Sequence, residues 1–223
     1  MHLKVREAAD LLGVSTKTIY RWIGDRKIPF HRLGDQYLFE RAELFEFAIQ
    51  ERLRPSPRLL QEAETIDPGS IVECLEKGGI YYRVAGTTKH QVLQNALKMI
   101  NGIEQAAMGS LLEMFLAREA LASTGIGDGI AIPHTRTPLV GYVNRPLLSL
   151  SFLETPIDYD ALDGNPVQAL FLLISPTIRV HLRILGRLSF ALKDGRFKAV
   201  VQRRETREAI LAALGEIETG MPE

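Results

Sequence analysis

The stretch GIGDGIAIPHTR, residues 125–136, is the one around which the remaining sequence arranges itself. Glycines at the alternate positions 125, 127 and 129 free the backbone for left-handed turns or close packing. A short apolar run follows, and just beyond Pro133 it delivers one imidazole, that of His134. From its own residues the stretch is a flexible loop presenting an exposed histidine. Two readings stay open at this point: a side chain placed for chemistry, or a structural histidine satisfied by its neighbours.

The flanks predict what carries this loop. Upstream, a helix begins over 71–75 and ends at Gly78-Gly79, and IYYRV then reads as a strand. An amphipathic helix spans 88–100 with Val92, Leu93, Ala96, Leu97 and Ile100 inward, and a further helix over 110–122 runs directly into the glycines. Downstream, LLSLSFL and QALFLLISP are apolar runs of strand length that predict a buried sheet. A helix over 178–192 carries Leu182, Leu185 and Leu188 on one face and His181 in its first turn, and 205–214 forms a last helix. Helices alternating with strands predict an α/β domain with helices on both faces of its sheet. Asp163-Gly164 reads as a turn before a strand.

The first fifty residues are of a different kind. Residues 5–13, VREAADLLG, place Val5, Ala8, Ala9 and Leu12 on one helical stripe and end at a glycine suited to a left-handed turn. Ser15 caps a second helix over 16–24, with Ile19 and either Ile23 or Trp22 on the apolar face and Lys17, Thr18 and Arg21 on the other. Two short helices meeting across a glycine form a helix-turn-helix, whose second helix enters a major groove. KIPFHRLGDQYLF then breaks at Gly34-Asp35 into a hairpin whose first limb carries His31 and Arg32 toward phosphate or a minor groove. A third helix from Glu40 or Arg41 closes a small core with Leu44, Phe45, Ala48 and Ile49. Lys17, Thr18, Arg21 and Arg32 are the candidate DNA contacts, whereas Tyr20 and Trp22 fit either core or surface.

Charge supports this division. The chain of 223 residues holds 27 basic and 27 acidic side chains, yet residues 1–60 carry a net charge of +3 and residues 61–223 one of −3. Residues 15–34 hold Lys17, Arg21, Arg26, Lys27 and Arg32 against Asp25 alone, an electrostatic footprint for phosphate. Pro55, Pro57 and Pro68, with the acidic run between 62 and 67, mark the join. We therefore expect a DNA-binding domain over 1–54, a linker over 55–66 and a second domain over 67–218. Leu59 and Leu60 of the linker suit packing on either neighbour.

A single cysteine, Cys74, excludes an intrachain disulfide and a thiolate cluster. No apolar run has the length of a bilayer span and no apolar signal segment opens the chain, so neither membrane insertion nor export is expected, and the location is cytoplasmic. The glycine stretch lacks the lysine-serine ending of a nucleotide loop and opens no dinucleotide fingerprint. His134 and His181 lack a third clustered ligand for zinc unless Asp128 or Asp163 supplies one, and no cofactor or metal is expected. No serine or cysteine motif signals acyl transfer. What remains is an imidazole that accepts a phosphoryl group while positive donors hold the equatorial oxygens.

Two resemblances sharpen this reading. VREAADLLGVSTKTIYRWIGDRKIPFHRLGDQYLFERAEL resembles the excisionase-type winged-helix DNA-binding domain related to the MerR regulators. Ala9, Gly13 and Ile19 stand at its small helix residue, turn glycine and second-helix core position, and Lys27-Ile28-Pro29 precedes the wing. LAREALASTGIGDGIAIPHTR, continued by IDYDALDGNPVQALFLLISP and HLRILGRLSFAL, resembles the enzyme IIA domain of the fructose/mannitol class of the bacterial sugar phosphotransferase system, with its nitrogen-regulatory branch. That resemblance implies a mixed sheet flanked by helices. It implies phosphorylation of His134 by the histidine phosphocarrier protein, His181 beside the phosphate and Arg118 in support; Arg136, read from its own place in the sequence, either clamps phosphate as a secondary group or faces solvent. The expected protein is a DNA-binding transcriptional regulator with a phosphorylatable domain. The alternatives are a transport component passing phosphate to a permease domain or regulatory protein, and a DNA-binding protein whose second domain only binds partners. A winged helix reads a short site, so a homodimer on double-stranded DNA with two-fold symmetry is expected.

Overall fold

A computed structural model of the chain describes residues 2–33, 36–40, 43, 44, 47, 48, 51, 53, 69–101, 103, 108–135, 143 and 145–221. The chain divides into two compact units, Met1–Thr65 and Ile66–Glu223. The expected linker over 55–66, with Leu59 and Leu60, lies outside the described residues, as do Phe45, Ile49 and Arg136.

In the first unit, β1 (His2–Lys4) leads into α1 (Val5–Leu12), where Glu7 reaches back to accept the Lys4 N–H at 2.7 Å. Gly13 ends the helix at φ 65°, the left-handed conformation a side chain would oppose. Ser15 Oγ accepts the Thr18 N–H at 3.2 Å and opens α2 (Thr16–Gly24). The hairpin of β2 (His31–Leu33) and β3 (Gln36–Glu40) follows, and β1 pairs antiparallel with β3 to give the order β1-β3-β2. Residues 43, 44, 47 and 48 are helical where the third helix is expected. Ala8, Leu12, Ile19, Ile23, Phe39, Leu44 and Ala48 form the core, and Trp22 belongs to it, edge-on to Phe47 with centroids 5.2 Å apart. β1 is a strand that three residues of sequence do not announce, because it exists only through its partner.

The second unit runs α3 (Ile71–Gly78), β4 (Ile80–Val84), α4 (Lys89–Met99), α5 (Met108–Glu119), β5 (Gly125–Gly127), β6 (Ile130–Ala131), β7 (Leu147–Ile157), β8 (Val167–Ile174), α6 (Ile178–Ala191), α7 (Gly195–Gln202) and α8 (Arg207–Thr219). The sheet order is β4-β7-β8-β6-β5, with β4/β7 and β6/β8 parallel and β7/β8 and β5/β6 antiparallel. This is the expected mixed α/β sheet. Leu170, Leu172 and Ile174 share one core with Val92, Leu93 and Phe115 of α4 and α5. The alternate residues Phe171 and Leu173 are equally buried, so both faces are covered. Across the other face α3 packs on β7 and α6 on β8. Ser70, Thr88, Thr177, Asp194 and Thr206 each cap the helix that follows.

Among the helices, α5, α7 and α8 differ most from expectation. α5 stops at Glu119 rather than 122, because the Arg118 guanidinium donates from Nη1 to the Ala122 carbonyl at 2.8 Å and pulls the chain into a turn. α7 was not foreseen; Asp194 starts it by accepting the N–H groups of Arg196 and Phe197. α8 begins at Arg207 and runs on to Thr219, held because Glu218 accepts from Ile71 N–H at 2.6 Å and pairs with Arg187 at 3.2 Å.

Cys74 lies on the buried face of α3, and burial pushes its thiol up to about 12. Only the thiolate reacts at an appreciable rate. A disulfide reagent at pH 8 is therefore expected to modify no thiol in the folded protein and one after denaturation; prompt native reaction would contradict this packing.

Candidate functional site

The glycine stretch is a hairpin and not a flexible loop. Gly125 pairs with Ala131 and Gly127 with Ile130, and the reversal is made by Asp128 and Gly129 at φ 57° and 76°. Asp-Gly with both residues left-handed is the tight turn that suits the twist of antiparallel strands. Asp163 accepts the Asp128 N–H at 2.8 Å and the Asn165 N–H at 3.1 Å, and these bonds hold its carboxyl below the usual carboxylate range. The Asp163-Gly164 turn thus braces the hairpin tip, and Lys198 pairs with Asp128 at 2.7 Å from α7.

From the hairpin, β6 runs parallel to β8, and His134 continues the pairing opposite Leu173, with the Leu173 N–H donating to the Pro133 carbonyl at 3.0 Å. The ring is carried to the C-terminal end of β8. There Thr177 caps α6, whose first turn brings His181. The two imidazoles meet with centroids 5.2 Å apart and planes 54° to one another. His134 is 4% exposed and His181 6%, so the expected exposed imidazole is instead seated in the fold. Burial has a plain cause: His134 extends β6 alongside the central strand β8, and the His181 ring of α6 packs against it.

His134 Nδ1 lies 2.7 Å from the Ile132 carbonyl oxygen. A carbonyl only accepts, so Nδ1 carries the proton, and in the neutral ring the lone pair sits on Nε2. Arg118, in the last turn of α5, is 4% exposed and bound to the Ala122 carbonyl in the turn that leads to β5. Its neighbour Glu119, 7% exposed, accepts Thr124 N–H at 2.9 Å and the Thr124 hydroxyl at 2.6 Å. Lys89 stands 3.7 Å from Glu119, 2.6 Å from Asp160 and over the Tyr159 ring at 4.9 Å. Burial, reinforced by Glu119, raises the Tyr159 phenol well above its ordinary value. Glu119 escapes a reading of sequence that stops at Arg118. The available signal is a carboxylate in the last turn of a helix, where the macrodipole disfavours it.

The family described as "Phosphoenolpyruvate-dependent sugar phosphotransferase system, EIIA 2" matches residues 73–217. The chain belongs to this EIIA 2 family. It is 30% identical over 151 residues to the nitrogen regulatory protein of Pseudomonas aeruginosa, a match covering 66% of this chain and 96% of that one. The crystal structure of nitrogen regulatory protein IIA-Ntr from Neisseria meningitidis superposes with a TM-score of 0.56 at 27% identity, over 65% of this chain and 98% of that one. IIA mannitol from Escherichia coli shares the fold, with a TM-score of 0.50 at 17% identity over 60% and 94% of the two chains. No helix among the described residues is long and apolar enough to cross a membrane.

Ahead of the EIIA 2 domain, residues 3–52 match a helix-turn-helix domain. On its second helix Lys17 and Arg21 are exposed, and Arg32 is exposed on β2. Thr18 is half-buried, its hydroxyl 3.0 Å from Ser15 Oγ, so it shares in the cap as well as facing outward. Tyr20 is 55% exposed and meets Tyr37 of β3 edge-on at 6.2 Å, and the Arg32 guanidinium lies over the same Tyr37 ring at 5.9 Å. Tyr20 is therefore a surface residue and Trp22 a core one.

Proposed function

We propose that the protein is a cytoplasmic DNA-binding transcriptional regulator whose EIIA 2 domain accepts a phosphoryl group on His134 from the histidine phosphocarrier protein. The observation that carries this reading is the His134 ring, with Nδ1 tied to the Ile132 carbonyl and the His181 ring against it. The Nε2 lone pair attacks phosphorus in line. The bond from phosphorus to the donor imidazole breaks, and its electron pair returns to the donor nitrogen. His134 keeps its Nδ1 proton, and the positive charge that develops on the ring is met by the Ile132 carbonyl. Arg118 and His181 hold the equatorial oxygens, assisted by the N-terminus of α6.

The new group changes the local charge by about −1.5 to −2, enough to alter docking between partners. Lys17, Thr18, Arg21 and Arg32 contact double-stranded DNA, with a two-fold dimer on a palindromic site. The relatives named nitrogen regulatory proteins support a role in nitrogen regulation.

Incubation with the phosphocarrier, its kinase and labelled phosphoenolpyruvate is expected to label the wild-type protein and leave His134→Ala unlabelled; equal labelling would remove the assignment. DNA binding of both forms, with Arg21→Ala as the reference for lost contact, then tests the regulator. Transfer onward to a permease domain, with DNA binding indifferent to phosphate, would favour a transport component instead.

A further inference from the structure

The carboxylate of Glu119 is joined to the His134 ring by an unbroken series of hydrogen bonds. Thr124 donates its N–H to Glu119 Oε1 at 2.9 Å and its hydroxyl to Oε2 at 2.6 Å. The carbonyl of Thr124 accepts the Ile132 N–H at 3.0 Å, and the Ile132 carbonyl accepts from His134 Nδ1 at 2.7 Å. Each residue along the path is gripped on one side and grips on the other. Glu119 itself is nine-tenths buried and faces the Lys89 ammonium at 3.7 Å.

We propose that Glu119 is a positioning residue for phosphoryl acceptance, fixing the tautomer and orientation of His134 through Thr124 and Ile132. The inference rests on the reading of His134 as the acceptor. The coupling is geometric. The N–H and C=O that each intermediate residue uses belong to different peptide groups, so what passes along the path is placement rather than polarisation. A carboxylate suits the first position because Thr124 presents two donors in a buried place, and both need an acceptor. It is tolerated at a helix C-terminus because Lys89 offsets its charge. Without it Thr124, just ahead of β5, loses its anchor, Ile132 is free to shift, and the carbonyl that selects the Nδ1–H form moves with it. A misplacement of about 1 Å at a reacting group costs about 100-fold.

The test uses the full chain labelled with ¹⁵N-histidine, because the ring nitrogen shifts report the tautomer without any phosphoryl donor. Wild type is expected to show His134 as Nδ1–H. Glu119→Ala is expected to show mixed tautomers and to accept phosphate 10-fold or more slowly at saturating phosphocarrier, with KM changed less than about twofold. Glu119→Gln should restore both within about twofold, since its amide oxygen accepts the Thr124 N–H and its amide nitrogen donates to the hydroxyl turned round. Should Glu119→Ala fail to fold, Thr124→Val replaces it: one bond is lost, and a smaller shift in the same direction is expected. A folded variant of either kind that keeps wild-type tautomer and rate overturns the inference. A wild type that takes no phosphate, with tautomers that still respond to Glu119, overturns the acceptor reading while leaving the positioning intact.

Discussion

Replacing Arg118 with alanine is expected to slow labelling of His134 by about 10²–10³-fold, the range in which removal of a fixed cationic or oxyanion donor falls. A buried guanidinium acts at low effective dielectric and needs no reorganisation when charge develops on the phosphoryl oxygens. Arg118 is held in place by its own bond to the Ala122 carbonyl, so its orientation is set before a donor arrives. Arg118→Lys keeps the charge and loses the planar fork, and should recover only part of the rate. The same substitution to alanine removes a charge-assisted bond worth about 1.5–3 kcal/mol, which denaturant unfolding measures separately. Initial rates at saturating phosphocarrier, on protein shown to be folded, give the catalytic part; a wild-type rate in Arg118→Ala would exclude Arg118 from the transfer.

Gly78→Ala is expected to destabilise the EIIA 2 domain by about 1–3 kcal/mol or more, against the propensity rule that favours alanine in helices by about 0.5–1 kcal/mol. A Cβ at Gly78 would stand 2.2 Å from the Leu148 carbonyl oxygen and 2.5 Å from its carbon. These are backbone atoms of β7 and cannot swing aside, so α3 has to lift from the sheet and with it the seat of Cys74 and the Glu218 cap. Gly109→Ala in α5 is the matched control, because nothing lies within 4 Å of its Cβ position. It should stabilise slightly. Urea denaturation of the two variants should move the midpoint in opposite directions, and a neutral Gly78→Ala would refute the close approach.

Local rules made much of this protein legible before any coordinates. Gly13, Ser15 and the stripe of Ala8, Ala9 and Leu12 determine α1 and α2 from neighbours a few residues away, and capping needs nothing else. The apolar runs before and after 157 have the length of strands and point to the buried sheet that β7 and β8 form. The misses have a common physical origin. β1 and β6 are three and two residues long and exist through pairing with β3 and β8, partners that no window of local sequence contains, and β5 is held in turn by β6. The burial of His134 follows from the same pairing, which is why its loop reads as open when it is not. The end of α5 is set by a side chain folding back on its own turn, and Glu119 matters through a residue five positions away and then another eight beyond it.

The order of the sheet also sets a timetable. β6 lies between β5, made just before it, and β8, whose last residue Ile174 is forty positions after His134. At about 5–20 residues per second, a ribosome needs about 2–8 s to supply that second neighbour. Until then the β5–β6 hairpin is alone, and an isolated hairpin is marginal in water. The helix-turn-helix residues have by that time long been synthesised. On the function proposed above, a newborn chain therefore completes its helix-turn-helix residues before it completes the seat of the phosphoryl acceptor, and a charge signal at His134 would act only on molecules whose synthesis has passed α6.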